Sequence, residues 1–158
     1  MADTGGRAAG DAEVVARAEG LRALEWTWTT DGVPRRGLFR RRLLVVRAEG
    51  GVLRAGPWAD GAELLGRHGT VESVGLRVAE VPGDWAARAD VFARLAAALS
   101  GPLGDPTDRR PGSDAQVRWE GRDTAFVLSR VAGSVRLTLA SRAWLAVQDD
   151  IGAREEGR

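Results

Sequence analysis

Arginine is the residue type whose clustering suggests chemistry in this 158-residue chain. The stretch PRRGLFRRRLLVVR, residues 34–47, carries six arginines in fourteen positions. With Arg54 and the single acid Glu49 included, residues 33–54 hold a net charge of +6, whereas the rest of the chain sums to −5. Positive charge is therefore concentrated in one segment, which predicts an exposed electrostatic surface suited to an anionic partner.

Three interpretations of this arginine cluster remain open. In the first, the cluster is the solvated outer face of a strand, whose long side chains cover apolar surface and discourage edge-to-edge aggregation. In the second, it is a contact surface for a protein with an acidic face. In the third, it is a phosphate-binding surface for nucleic acid. The predicted partner-binding residues are Arg35, Arg36, Arg40, Arg41 and Arg42 of a basic hairpin, with Arg109 and Arg110 of a later loop.

Catalytic motifs are missing from the sequence. The only histidine, His68, has neither a GxSxG nucleophile elbow nor enough ligand residues for zinc around it in sequence. The chain has no lysine and no cysteine, which excludes a Walker phosphate loop and thiol chemistry. Paired-carboxylate catalysis stays possible in principle, although the aspartates do not follow calcium-loop spacing. They are Asp105, Asp108, Asp114, Asp149 and Asp150. We predict no enzyme activity, no cofactor and no metal site.

Composition predicts one folded domain. Hydrophobic residues make up 44% of the chain and charged residues 28%, which is ordinary for a globular protein. The N-terminus lacks the apolar region of a secretory signal, and no apolar run approaches the ~20 residues that a membrane span needs. We therefore expect a cytoplasmic protein without membrane contact. The predicted boundaries are a flexible tail over 1–10, a single domain over 11–152 and a second tail over 153–158.

Hydrophobic periodicity predicts an α+β fold, with an antiparallel sheet of about six to seven strands and three packed helices. The predicted order is α, about four strands, α, three strands, α. Helical spacing covers 11–24, 85–99 and a segment after Ser141, and the second helix is capped by Asp84 and stopped at Ser100-Gly101-Pro102. Strands are expected at 25–30, 38–47, 52–55, 71–81, 116–120, 124–130 and 134–140. The strand over 71–81 alternates unevenly around Gly75, which indicates a possible bulge in it.

Three segments carry further expectations. Residues 57–70 are an irregular link with one helical turn, and Gly101–Asp114 is a long loop that is either functional or mobile. The tryptophans are the largest apolar side chains in the sequence. For them, packing in the core is favoured over a surface on which nucleic-acid bases stack. The expected core tryptophans are Trp26, Trp28, Trp85, Trp119 and Trp144, whereas Trp58 lies in a loop. Val147 and Ile151 are expected to extend the apolar stripe of Trp144 on the last helix.

The segment LAAALSGPLGDPTDRRPGSDAQVRWEGRDTAFVLSRVAGSVRLTLASRAWLAVQDD resembles a domain-of-unknown-function family common in actinobacteria. The resemblance rests on the loop pattern LG.PT.R.PG....VRW, the following strands L.R....V.L.L, the closing W...D helix and the opening LRALEWTW. No activity is established for that family, so the resemblance implies no catalytic residue. Small proteins of this kind look like immunity proteins of bacterial toxin systems, and the element order is similar to secretion-chaperone folds.

We therefore expect a non-enzymatic protein-binding module, immunity-type or chaperone-like, that binds a cognate bacterial protein with an acidic face. A nucleic-acid-binding protein that uses the Arg35–Arg42 cluster is the alternative. An enzyme without a recognisable motif ranks below both.

Overall fold

A computed structural model describes residues 7–23, 38–43, 45–48, 51–54, 62–67, 70–112 and 114–156. For residues 38–43, 45–48, 51–54, 67 and 70 the description covers the backbone. Within these ranges the helices are α1 (Asp11–Arg22), α2 (Trp85–Leu103) and α3 (Arg142–Glu156). The strands are β1 (Arg7–Ala8), β2 (Leu38–Leu43), β3 (Val45–Ala48), β4 (Gly51–Arg54), β5 (Ala62–Arg67), β6 (Thr70–Glu80), β7 (Asp108–Arg110), β8 (Gln116–Glu120), β9 (Thr124–Val131) and β10 (Ser134–Ser141).

The main sheet is antiparallel and runs in the order β2-β5-β6-β10-β9-β8-β7, with the short β1 also paired to β6. The predicted α+β fold, with about six to seven strands and three helices, is confirmed. Among the described elements, three strands were not predicted: β1 before α1, β5 in the first group and β7 in the second. Strands β3 and β4 form a separate hairpin, as the Glu49-Gly50-Gly51 sequence predicts.

The core lies between one face of this sheet and helices α1 and α2. On β10 the alternate residues Val135, Leu137 and Leu139 are buried, as predicted from period-two alternation. Helical spacing likewise predicts the buried faces of both helices, and the structure confirms them. These faces are formed by Val14, Ala18 and Leu21 of α1 and by Leu95, Ala96 and Leu99 of α2.

The segment predicted as an irregular link contains strand β5, so that prediction is wrong. Ala62 and Leu64 are both about 1% exposed and alternate with half-buried Glu63 and Leu65, which is a strand pattern only two periods long. β5 pairs with β2 on one side and β6 on the other. The predicted strand over 38–47 is accordingly divided, because β2 joins the main sheet while β3 pairs with β4.

Strand β6 has the irregular register that its uneven alternation predicts, but the irregularities do not lie at Gly75. The register shifts lie between Leu65 and Gly66 and between Val135 and Arg136. Gly75 instead lies opposite Thr138 in the regular β6–β10 pairing, where an added Cβ would be 3.1 Å from the Thr138 hydroxyl oxygen. The absence of a side chain at this position relieves crowding between two central strands.

Helix α2 extends further than predicted. It runs through Pro102 to Leu103, and the Gly104 N–H still donates to the Ser100 carbonyl at 3.1 Å. The predicted loop Gly101–Asp114 therefore contains the end of a helix and the strand β7. None of the described helices combines the length and the apolar character that crossing a membrane requires.

Tryptophan positions divide into confirmed and wrong predictions. Trp119 and Trp144 are buried, at 5% and 8% exposure, whereas Trp85 is 66% exposed at the first position of α2. Val147 and Ile151 are exposed as well, so the predicted apolar stripe of α3 is buried only near its start. The predicted strand over 25–30 and the tryptophans at 26, 28 and 58 lie outside the described residues.

The N-cap of α2 offers a direct test of this helix. The Asp84 carboxylate accepts a hydrogen bond from the Ala87 N–H at 3.1 Å. We expect Asp84→Ala to lower the free energy of unfolding by about 1 kcal/mol, because it leaves that donor without its cap. Urea denaturation measures the change. Asp90→Ala, an exposed aspartate in the same helix, is the matched control and changes stability by less than about 0.5 kcal/mol; equal losses in the two variants contradict the prediction.

Candidate functional site

The predicted partner-binding arginines lie at opposite ends of the strand order. Arg40, Arg41 and Arg42 belong to β2, where their backbones pair with Leu65, Leu64 and Glu63. They are therefore on a strand of the main sheet and not on the β3–β4 hairpin, which corrects the expectation of a basic hairpin. Arg35 and Arg36 lie outside the described residues. Arg109 and Arg110 belong to β7, the last strand in the order, so the strand order does not bring the two groups together.

Strand β7 sends its neighbouring arginines to opposite faces of the sheet. Asp108 and Arg110 pair with Arg118 and Gln116 of β8 on the face that α3 covers. Arg109 pairs with Val117, a core residue, and so lies on the α2 side. Strand alternation gives the two arginines different surroundings although they are adjacent in sequence.

On the α3 side, ion pairs connect the helix to the last two strands. Arg118, whose side chain is only 4% exposed, contacts both Asp149 carboxylate oxygens at 2.9 and 2.8 Å. The Gln116 side-chain oxygen accepts two further hydrogen bonds from Arg118, at 3.1 and 2.9 Å. Arg110 contacts Asp149 at 3.0 Å and Asp108 at 2.8 Å. We call these four charged residues, Asp108, Arg110, Arg118 and Asp149, the α3 clamp.

The electrostatics of the α3 clamp are those of a closed network. Hydrogen bonds from Arg118 lower the pKa of the Asp149 carboxyl, against a smaller opposing effect of burial, and Arg110 lowers it further. The pKa of Arg110 is raised, chiefly by its hydrogen bond to Asp108 and then by Asp149. Two cations and two anions cancel, so the clamp binds α3 to the sheet without leaving a net charge.

Beside the clamp, a cleft of about 1020 Å³ separates α3 from the sheet. Small hydroxyl-bearing residues form its sheet wall, and Trp144 and Leu145 belong to its helix wall. The hydroxyl residues are Ser73, Ser129 and Thr138. Because its charged side chains are largely those of the neutral clamp, the cleft presents no single charge to a ligand.

On the α2 side, an apolar groove of about 710 Å³ lies between the start of α2 and strands β7 and β8. Trp85, Phe92, Pro111 and Val117 provide apolar walls. Trp85 is the most exposed large hydrophobic residue in the described chain, so its ring is open to solvent. We call this surface the Trp85 groove.

Arg130 fixes the shape of the Trp85 groove. Its side chain is nearly buried, its guanidinium carbon is 5.7 Å from the centroid of the Trp85 ring, and it donates to the Gly112 carbonyl at 2.6 Å. Gly112 has a φ of +125°, a backbone conformation that residues other than glycine rarely adopt. The groove therefore combines a cation–π contact with a backbone turn that presents its carbonyl inward.

The charge of the Trp85 groove is entirely positive in the part that the structure describes. Its described lining residues include Arg109, Arg110 and Arg130 but no carboxylate. Arg110 is neutralised by the clamp, and Arg130 contacts a ring and a carbonyl. Arg109 is exposed and makes no ion pair among the described residues. The groove is thus suited to an anionic group next to an apolar one.

The other chemical candidates do not converge on a site in the described ranges. Asp108 and Asp149 belong to the clamp, Asp150 forms an ion pair with Arg154 at 2.9 Å, and Asp105 lines a separate small pocket. No metal-binding group of three His, Asp or Glu side chains occurs among the residues described. His68 lies outside them. Paired-carboxylate and histidine chemistry therefore remain sequence-level hypotheses.

Sequence reasoning missed the α3 clamp and the Trp85 groove. Asp149 follows Leu145 by four residues, so helical spacing places it on the sheet-facing side, where an acid needs a cation. That spacing was available in the sequence and indicates a cation partner for Asp149. Trp85 continues the buried stripe of α2 by the same spacing, and no sequence signal shows that the first turn of this helix leaves the ring exposed.

Comparisons with known proteins give one finding. A family model described as a family of unknown function, DUF6301, matches residues 12–141. No curated protein and no solved structure matches the chain.

The α3 clamp predicts unequal roles for two adjacent aspartates. We expect Asp149→Ala to lower the free energy of unfolding by about 2 kcal/mol, since it leaves the buried Arg118 without its carboxylate. Asp149 is itself 35% exposed, which places the loss below the value of a fully buried pair. Asp150→Ala removes a surface ion pair and costs about 0.5 kcal/mol or less. Urea denaturation compares the two, and similar losses contradict the clamp.

The lowered pKa of Asp149 predicts a pH dependence. The unfolded chain binds a proton at this carboxyl more readily than the folded protein does. Its stabilisation is therefore complete above the ordinary carboxyl pKa of about 4 and is lost as pH falls through the lower folded value. The stability difference between the wild type and Asp149→Asn, measured in urea, should shrink from about pH 7 to about pH 3. A constant difference over that interval contradicts the assignment.

Proposed function

The chain belongs to this family of unknown function, DUF6301, and we propose from its own surface that it is a protein-binding module without enzyme activity. Its partner is a cognate bacterial protein in the cytoplasm, and its role is immunity-type or chaperone-like. The Trp85 groove is the main contact surface, with the Arg40–Arg42 strand as a second one. The observation that carries the proposal is the 66% exposure of Trp85 beside Arg109 and Arg130.

The energetics of an exposed tryptophan support a binding role. Much of this large apolar ring remains in water, and its burial by a partner stabilises a complex by an estimated 1.5–3 kcal/mol. Tryptophan and arginine are the residue types most enriched at the energetic centres of protein interfaces. Here one residue of each type is held in place before binding, because Arg130 is nearly buried against the Trp85 ring. Little side-chain freedom is then lost on association.

The charge distribution favours a protein partner over nucleic acid. The Trp85 groove is locally basic, yet the chain outside residues 33–54 carries a net charge of −5. An acidic side chain on a protein meets Arg109 locally, whereas a long polyanion also meets the acidic remainder. Nucleic-acid binding through Arg35–Arg42 is the alternative that nuclease treatment and salt dependence distinguish from protein binding. An enzyme without a recognisable motif ranks below both.

The test is an affinity capture with tagged full-length protein in a lysate of the organism that encodes it, with and without nuclease. We expect one stoichiometric protein that survives nuclease. Purified, this protein should bind Trp85→Ala at least tenfold more weakly than the wild type, because Trp85 is the exposed anchor. Ile151→Ala, an exposed apolar residue on α3, is the matched control and should leave the affinity unchanged.

Two outcomes contradict the proposal. Captured material that disappears with nuclease, and whose affinity for the purified chain falls steeply with salt concentration, indicates nucleic-acid binding. A protein partner that binds Trp85→Ala and a charge-reversed Arg40–Arg42 variant as well as the wild type shows that neither proposed surface is used.

A further inference from the structure

We propose that the Trp85 groove takes an extended acidic segment of the partner, which adds to the sheet as a strand beside β7. In this arrangement a carboxylate of the segment binds Arg109, and an apolar side chain two residues away covers Trp85. The inference rests on the proposed function and specifies the partner's chemistry and conformation.

The position of β7 provides the first argument. It is the last strand in the sheet order, and in the described chain it pairs with β8 alone. The outer edge of an antiparallel strand presents backbone N–H and C=O groups that an incoming chain can pair with. The Trp85 groove lies directly beside this edge, since Arg109, Arg110 and Pro111 all line it. A partner in the groove is therefore within reach of the edge.

The alternation of β7 provides the second argument. Arg109 is directed to the Trp85 groove, while Asp108 and Arg110 on the other face are paired in the α3 clamp. An added strand has the same alternation, so every second side chain meets the groove face. The intervening side chains meet a face where the charges already cancel. The added strand therefore needs a negatively charged side chain only on the groove face, opposite Arg109.

The spacing between acid and apolar residue follows from strand geometry. Residues two apart on a strand lie on the same face and about 6.6 Å apart along it, whereas residues three apart lie on opposite faces. A carboxylate opposite Arg109 therefore leaves the apolar side chain at the second position to enter the groove near Trp85 and Phe92. A charge-assisted hydrogen bond to a guanidinium with no other ion partner in the described chain adds to this apolar burial. A helical partner would instead need spacings of three or four.

The first experiment identifies the spacing. A display library of random dodecapeptides is selected on the wild-type protein and counter-selected on Trp85→Ala. We expect enriched peptides with Asp or Glu two positions from an aromatic or aliphatic residue. Enrichment at spacings of three or four, or without an acid, overturns the strand-addition inference and leaves the groove as a binding site. If no enriched peptide depends on Trp85, the strand-addition inference fails, whereas the proposed function is decided separately by the affinity of the captured protein for Trp85→Ala.

The second experiment tests backbone pairing with the best enriched peptide. The peptide is synthesised in two forms, N-methylated at alternate residues so that only one edge of the strand is blocked in each. Strand addition predicts a loss of at least tenfold in affinity for one form and little change for the other. Equal effects in both forms overturn the inference, while continued dependence on Trp85 keeps the proposed function.

The third experiment tests the partner charge on Arg109. We expect Arg109→Glu to weaken peptide binding at least tenfold, and replacement of the peptide acid by lysine to restore binding to that variant. Arg122→Glu, a charge reversal at an exposed position between β8 and β9, is the matched control and should have little effect. Losses that the peptide lysine does not restore, or equal losses in both variants, overturn the assignment of the acid to Arg109.

Discussion

The bidentate contact between Arg118 and Asp149 is the constraint on which the β7 end of the sheet depends, both on its α3 side and on the side of the Trp85 groove. A guanidinium that is 4% exposed is tolerated only if its donors are satisfied, and Asp149 and Gln116 provide the acceptors. The carboxylate comes from α3 and the guanidinium from β8, so the same contact fixes the helix on the sheet. Arg110 joins the network from β7 and thereby attaches the short last strand as well.

Because Arg110 is held in this network, the adjacent residues Arg109 and Arg110 have different surroundings and different roles. The charge of Arg110 is neutralised by its ion pairs with Asp108 and Asp149. The alternation of β7 directs Arg109 to the other face, away from both acids of the clamp. The result is one face with cancelled charge and one face with an available cation beside exposed aromatic surface. The exposed cation beside the Trp85 groove therefore comes from the same short strand that completes the sheet.

Much of the fold was predictable because it repeats with a regular period. The stripes Val14-Ala18-Leu21 and Val135-Leu137-Leu139 are long enough to identify a helix face and a strand face, and both are confirmed. Strand β5 was missed because its alternation spans few residues between glycines, and its identity depends on pairing with β2 and β6. The exposure of Trp85 was missed for a related reason. Periodicity reports which side of a helix a residue lies on, but not whether the neighbouring element extends far enough to cover it.

Gly112 has a consequence for how substitutions around the Trp85 groove act on the fold. The turn that frames the Trp85 groove depends on a backbone conformation, with a φ of +125°, and on a carbonyl that accepts from Arg130. Neither requirement involves the side chain of Arg109 or of Pro111, although both residues line the groove. Substitution at those two positions changes the lining of the Trp85 groove while this support persists. The shape of the groove and the chemistry of its rim are therefore set by different atoms, the first by a backbone carbonyl and a nearly buried guanidinium, the second by exposed side chains.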